Sequence, residues 1–210
     1  MIFQAGRRIV LGSLALACAG LLVSMPARAA QDPRTFIQTF GNTLVSIVNS
    51  PIPLGEKKVK ILPLVQQNVD IDAIGRFCMG RYWKLATPEQ RQTYLSLFHD
   101  VLVNTIIDKL GAYRGVTFTI GDVSKSGDLD AVQTTLVLPQ QPPADVKWIV
   151  SYESGAPKVV DMVGEGASLR MTQRGDYEAY VGRNGGDVAS LIKALKKQVA
   201  AHTAAATSTD

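Results

Sequence analysis

Apolar residues recur at helical spacing through the first half of the chain. Phe36, Phe40, Leu44 and Ile47/Val48 mark one helix starting near Asp32-Pro33, and Pro51 and Pro53 end it. A second run follows Gly55, with Val59, Leu62 and Val65 spread over one broad side; Pro63 lies inside it and is expected to kink or shorten it. Asp70 reads as the N-cap of a short helix holding Ile71, Ile74, Phe77 and Cys78, closed by Gly80. The sharpest local signal is Thr87-Pro88-Glu89-Gln90. Thr87 is placed to accept from the third helical amide, Gln90 to reach back to the cap, and Pro88 loses nothing at the first helical position. From there a long helix carries Tyr94, Leu97, Phe98, Val101, Leu102, Ile106 and Leu110 to Gly111.

The period then changes from helical to alternating. Val116, Phe118 and Ile120 alternate with threonines; Val132, Thr134, Leu136 and Leu138 form a second set, Val146, Trp148, Val150 and Tyr152 a third, and Val160 and Met162 belong to a fourth strand. Ser126-Gly127-Asp128, Pro139 to Pro143 and Gly155-Ala156-Pro157 supply turn chemistry, and loops this short imply an antiparallel meander. Asp187 caps a last helix with Val188, Leu191, Ile192, Leu195 and Val199, after which residues 201–210 read as a disordered tail. The pattern predicts an α+β fold: one domain, residues 30–200, with helices packed on one face of a curved antiparallel sheet of about four strands.

Residues 1–29 read as a cleaved signal peptide. Arg7 and Arg8 give the positive start, Ile9 to Met25 the uncharged apolar run, Pro26 its break, and Ala27-Arg28-Ala29 the small residues a signal peptidase accepts, with cleavage after Ala29. The alternative is an uncleaved anchor, but the run is shorter than the roughly 20 residues a spanning helix prefers. Gly6-Arg7-Arg8-Ile9-Val10-Leu11 resembles a twin-arginine signal without its usual flanks. Cleavage before Cys18, as in a lipoprotein, would leave Leu21-Leu22-Val23 at the mature start, which argues against it. Export places the protein in the periplasm.

The leader also corrects the charge. The 210-residue chain is formally +4, but three of its 22 basic residues (Arg7, Arg8, Arg28) lie in the leader, leaving 19 against 18 acidic ones. The folded part carries no compositional push toward nucleic acid, whose phosphates require a basic face. Hydrophobic residues at 46% and charged ones at 19% mark a globular chain. Cys78 is alone after the leader, forms no internal disulfide, and reads as a small buried hydrophobe beside Phe77 and Met79.

Catalytic signatures are missing from the sequence. His99 and His202 lie outside any metal-ligand spacing, and the chain has no G-x-S-x-G elbow, phosphate loop or dinucleotide fingerprint. His99 and Asp100 are helix neighbours, roughly 100° apart, and form no dyad. Asp70 and Asp72 suit the positive end of a helix. Asp161 stands between two apolar neighbours expected to face the other way, and is read as a cap, an arginine partner or a contact to another molecule. A catalytic acid there lacks a nameable base.

Two blocks make the chain specific. Phe77-Cys78-Met79-Gly80-Arg81-Tyr82-Trp83 followed by Thr87-Pro88-Glu89-Gln90-Arg91, and Val160-Asp161-Met162-Val163-Gly164-Glu165-Gly166-Ala167-Ser168-Leu169, resemble the MlaC family, also called the toluene-tolerance auxiliary family of ABC transporters. Thr172-Gln173-Arg174, Tyr177 and Asn184-Gly185-Gly186-Asp187 extend the likeness, which runs from about Asp32 to Val199 and is similar in its end to the hopanoid-associated HpnM branch. The chain departs at Ile106, where the family usually has an aromatic, at Pro157, where it has tryptophan, and at Pro63, which interrupts a normally continuous helix.

The resemblance implies a periplasmic lipid-binding protein, not an enzyme. It implies no cofactor beyond its cargo, phospholipid or a hopanoid, and a monomeric chain passing lipid between an inner-membrane transporter complex and an outer-membrane partner. A non-enzymatic adaptor with a closed core, or an enzyme on an apolar substrate with Asp161 or Tyr152 as first suspects, are the competing readings. Any α+β domain carries apolar stripes packed shut; the resemblance implies that these are left partly open. The expected walls are Leu97, Val101, Leu102, Ile106 and Leu110 on the long helix, Trp148, Val150 and Tyr152 on the third strand, and Phe77, Trp83, Phe118, Leu136, Leu138 and Met162. Arg81, Tyr82, Ser168 and Arg174 are the expected polar groups at the mouth.

Overall fold

The structure, a computed structural model, describes residues 31–207 apart from residue 112. The expected leader, residues 1–29 with Cys18, lies outside the described residues. Five helices come first: α1 Pro33–Asn49, α2 Leu54–Asn68, α3 Ile71–Met79, the single turn α4 Tyr82–Leu85, and α5 Pro88–Gly111. A meander follows, β1 Thr117–Ser126, β2 Leu129–Val137, β3 Ala144–Ser151, β4 Lys158–Gly164 and the two-residue β5 Ala167–Ser168, and then α6 Leu169–Arg183 and α7 Val188–Thr207. The strands lie in chain order, each antiparallel to the next. The fold is α+β as expected, with a short fifth strand added.

Caps set the helix starts. Asp32 Oδ2 accepts from the Thr35 amide at 2.9 Å and Asp70 Oδ1 from the Ala73 amide at 2.9 Å. At α5 the reciprocal pair is complete: the Gln90 amide donates to Thr87 Oγ1 at 3.2 Å, and the Thr87 amide to Gln90 Oε1 at 3.0 Å. Thr87→Ala removes one acceptor from an otherwise orphaned amide and is expected to cost about 1 kcal/mol in urea unfolding, with Thr87→Ser close to the parent.

Two expectations need correction, and one helix was not foreseen. Helix α2 runs through Pro63 without ending. The carbonyl that loses its donor belongs to Val59, which is 73% exposed, so water can satisfy it. Helix α6 had no expectation, because it buries only Tyr177 and Val181 and is otherwise polar; the Ser168 cap, accepting from the Met171 amide at 3.1 Å, was its one local signal. The tail expected to be disordered is helical as far as Thr207, with His202 Nε2 2.8 Å from Asp108 Oδ2 on α5. Its Ala-rich composition looked like low complexity, yet alanine is the strongest helix former.

Register decides which strand face looks inward. Phe118 pairs with Leu136, Ile120 with Thr134, Thr134 with Val146, Val132 with Trp148 and Trp148 with Met162, so the expected sets share one face. A bulge shifts β4 between its partners Ile149 and Val150. It puts Val159, not Val160, on the inner face opposite Val150; Val160 instead joins Ala131 and Ile149 in a small cluster separate from the main core, with Ala73 of α3 against it. Helix α1 lies directly on β1 and β2: Phe40 meets Trp148 edge-on at 5.8 Å, and the Phe118 ring stands where a Cβ on Gly41 would be, 2.5 Å from it. Helix α5 packs instead on α2, α3 and α7, and its backbone runs alongside none of the strands.

Candidate functional site

The apolar interior holds side chains of two kinds. Where α1, α3, α6 and α7 close on their neighbours the core is shut: Ile37, Ile61, Val132 and Val150 are fully buried, as are Tyr94 and Phe98 of α5, which meet Tyr177 of α6 edge-on at 6.2 and 6.3 Å. The Tyr94 hydroxyl donates to the Gly75 carbonyl at 2.9 Å, so the polar tip is satisfied inside. The other kind is different. Leu97, Val101, Leu102, Ile106 and Leu110 of α5, Leu62 of α2, and Phe118, Ile120, Leu136, Leu138 and Met162 of the sheet region all pack against this core yet stay half-buried. These side chains keep part of their surface accessible.

Most expected wall residues lie among these half-buried side chains. Three do not. Trp148 and Val150 belong to the closed core: Phe40 of α1 covers the Trp148 ring, and the indole N–H donates at 2.9 Å to Thr134 Oγ1, which itself donates to the Val146 carbonyl at 3.0 Å. Phe77 lies outside the apolar cluster, with the guanidinium carbons of Arg170 and Arg174 at 4.4 and 5.3 Å from its ring centroid. Trp83 does pack on the core, with Arg91 5.3 Å from its ring. Tyr152 is half-buried, its hydroxyl donating to the Gln31 carbonyl at 2.8 Å; burial, with Asp130 and Asp32 adding, raises its ionisation above the usual 10.0, which makes it a poor acid–base group at neutral pH.

The residues expected at a mouth are tied into the joint between α3 and α6. Ser168 Oγ donates to Asp161 Oδ2 at 2.5 Å. Arg174 Nε pairs with Glu178 Oε1 at 3.2 Å, and that oxygen also accepts the Arg81 amide at 3.1 Å. The Arg81 amide, followed by Arg174, holds Glu178 below its ordinary value. The Arg81 guanidinium lies over the Tyr82 ring at 5.0 Å and donates to its hydroxyl at 3.0 Å. Gly80 makes the approach possible: it has φ +54°, and a Cβ there would lie 1.9 Å from Glu178 Oε1. The Gly-Arg-Tyr-Trp block is thus explained by close packing of this joint.

Asp161 is the centre of a second knot. It is buried, its Oδ1 accepts the Met162 and Arg170 amides at 2.8 and 3.1 Å, and its Oδ2 lies 3.4 Å from Arg170 Nε. It caps and pairs, two of the roles read from the sequence. Cys78 Sγ donates to the Arg170 carbonyl at 3.6 Å, and burial, with the Asp161 charge adding, pushes its thiol up to about 12. The neutral thiol is the folded form. Its contribution is complete below the ordinary value of 9.0 and is lost as pH rises toward 12. Tyr94 and Tyr177, also raised by burial, act in the same direction. Folding stability is expected to fall steadily above about pH 9, and iodoacetamide to label Cys78 in urea but not in the native protein at pH 8; equal labelling in both states would contradict the assignment.

Two surface grooves, of about 990 and 340 Å³, run beside α6 and α7 and meet at Tyr180, Ala194 and Gln198. Neither touches any expected wall residue. Among the described residues no three His, Cys, Asp or Glu side chains are grouped to hold a metal ion, and no helix is long and apolar enough to cross a membrane.

Comparison with known proteins bears on this arrangement. The family described as MlaC protein matches residues 38–197. A solved structure of a phospholipid-binding protein from Ralstonia solanacearum, in complex with a phospholipid, superposes with a TM-score of 0.70 and 23% identity, covering 82% of this chain and 99% of that one. At that identity the likeness is one of fold.

Proposed function

The chain belongs to the MlaC family, and on that premise we propose that it is a periplasmic carrier that binds a phospholipid by its tails and moves it between inner-membrane and outer-membrane transport components. The observation that carries the reading is the set of half-buried apolar side chains on α5 and on the inner strand faces, packed against the core without being closed by it. A lipid in water costs about 0.8 kcal/mol for each exposed methylene, so one sixteen-carbon tail costs on the order of 12 kcal/mol. A carrier has to cover most of that length with apolar surface that is not already packed against itself. Leu97, Val101, Leu102, Ile106 and Leu110, only half-buried where they pack on the core, and Phe118, Leu136, Leu138 and Met162 would meet that need. The tyrosine and carboxylate suspected of catalysis are engaged, Tyr152 with the Gln31 carbonyl and Asp161 with Ser168 and Arg170, which favours binding over chemistry. The leader read from residues 1–29 supports export.

The test is to purify the protein from its own cells, extract it with organic solvent and identify what comes off by mass spectrometry. The reading expects near-stoichiometric phospholipid, and the same extraction separates it from a hopanoid cargo. A protein that carries no lipid, and takes none from vesicles, is not a carrier.

A further inference from the structure

Two cations converge on the last turn of α1 with no anion to meet them. Lys57 of α2 is fully buried, and its Nζ donates to the Val48 carbonyl. Arg114, in the segment after α5, is exposed and places Nη1 3.5 Å from the same carbonyl and 3.2 Å from that of Tyr113. Among the described residues neither pairs with a carboxylate. Helix-end carbonyls offset part of a buried ammonium's cost, but two unpaired cations on one carbonyl repel each other. Burial, and then the Arg114 charge, accordingly hold Lys57 below its ordinary value.

This end of the domain is also built firmly and lies at the apolar wall. Asn49 Nδ2 donates to the Val116 carbonyl at 2.8 Å and its Oδ1 accepts the Val116 amide at 2.9 Å, clamping the end of α1 to the chain entering β1. Leu110 and Tyr113 precede Arg114, Phe118 follows it, and all three are half-buried against the core. Pro139, at the end of the β2 side, stands 2.9 Å from where a Cβ on Gly115 would be. Arg114 thus presents a guanidinium without a carboxylate partner among the described residues where the half-buried apolar stretch begins, with the covered charge of Lys57 behind it.

We propose that Arg114, backed by Lys57, forms a binding site for a phosphate group at the end of α1, the headgroup phosphate of a bound lipid being the occupant if the carrier reading holds, on which that part rests. A guanidinium fork suits two phosphate oxygens, and a second cation behind it in a low-dielectric setting deepens the attraction without touching the ligand.

Mixed vesicles offering dioleoylphosphatidylglycerol and dioleoylglycerol in equal amounts test it, with the bound lipids of the re-isolated protein quantified. The parent is expected to prefer the phospholipid by about tenfold, the worth of one charge-assisted contact. Arg114→Glu should erase most of that preference. Lys147→Glu, the same charge change on the outer face of β3, should keep it. An unaltered preference in Arg114→Glu overturns the site. If the parent takes up neither lipid, the carrier reading fails. The phosphate site then stands only if inorganic phosphate shifts the Arg114 side-chain resonance in the parent, and falls if it does not.

Discussion

Ile106→Trp is expected to weaken lipid binding by about a hundredfold while leaving thermal stability within about 2 °C of the parent. Ile106 is one of the half-buried residues of α5, on the part of the helix that no strand covers. An indole there fills space equal to three or four methylenes of a guest, worth about 3 kcal/mol of tail burial. Ile106 is not fully enclosed, so the larger side chain is expected to cost folding little. Val132→Trp is the contrasting case. Val132 is 0% exposed within the same apolar cluster, and overpacking it is expected to cost about 3 kcal/mol or more of stability. Lipid uptake from vesicles and thermal unfolding of both variants check the pair. Equal destabilisation by the two would mean that α5 and the sheet are packed as tightly as the rest of the core.

Asp161→Ala is expected to carry the largest stability cost, about 3–5 kcal/mol in urea unfolding. Its carboxylate satisfies the Ser168 hydroxyl and two backbone amides and faces the Arg170 guanidinium, whose Nε is covered and has no hydrogen bond of its own. Removing the carboxylate strands those three donors and leaves a largely covered cation without its partner. Asp161→Asn keeps an acceptor and loses the charge, so it should fall between. Arg170→Met added to Asp161→Ala should recover part of the loss, since the stranded cation is then gone; the coupling read from this double-mutant cycle separates the ion pair from the hydrogen bonds. Losses that simply add would place the importance of Asp161 in the amides of Met162 and Arg170 alone.

Periodicity carried most of the fold. The residues expected on the inner strand faces are the ones that register pairs across the sheet, because a strand has only two faces and the sets alternate cleanly. Val160 escaped because a bulge is an insertion of one residue, and nothing in Lys158-Val159-Val160-Asp161 says which valine is extra. Helix α6 escaped because its inward side is little more than Tyr177 and Val181. At the site, the α5 stripe was legible but its two environments were not: Phe98 and Leu97 are neighbours in sequence and equally apolar, and only the position of Tyr177 against one of them makes it closed. Trp148 and Phe77 stood among the expected wall residues on their apolar character and position alone. One is covered by Phe40 and the other is stacked under arginines, and both facts depend on elements far away in sequence. Lys57 gave no signal, since it stands beside Lys58 and Lys60 in a run that reads as a solvated helix face.

Photolabelling with a phospholipid carrying a diazirine at mid-tail puts the open wall to the most direct trial. After irradiation and digestion, adducts should concentrate on α5 between Leu97 and Leu110 and on Phe118, Leu136 and Leu138. Adducts confined to the grooves beside α6 and α7, or a protein that remains unlabelled while lipid is present, would mean that the hydrocarbon never enters between the long helix and the sheet.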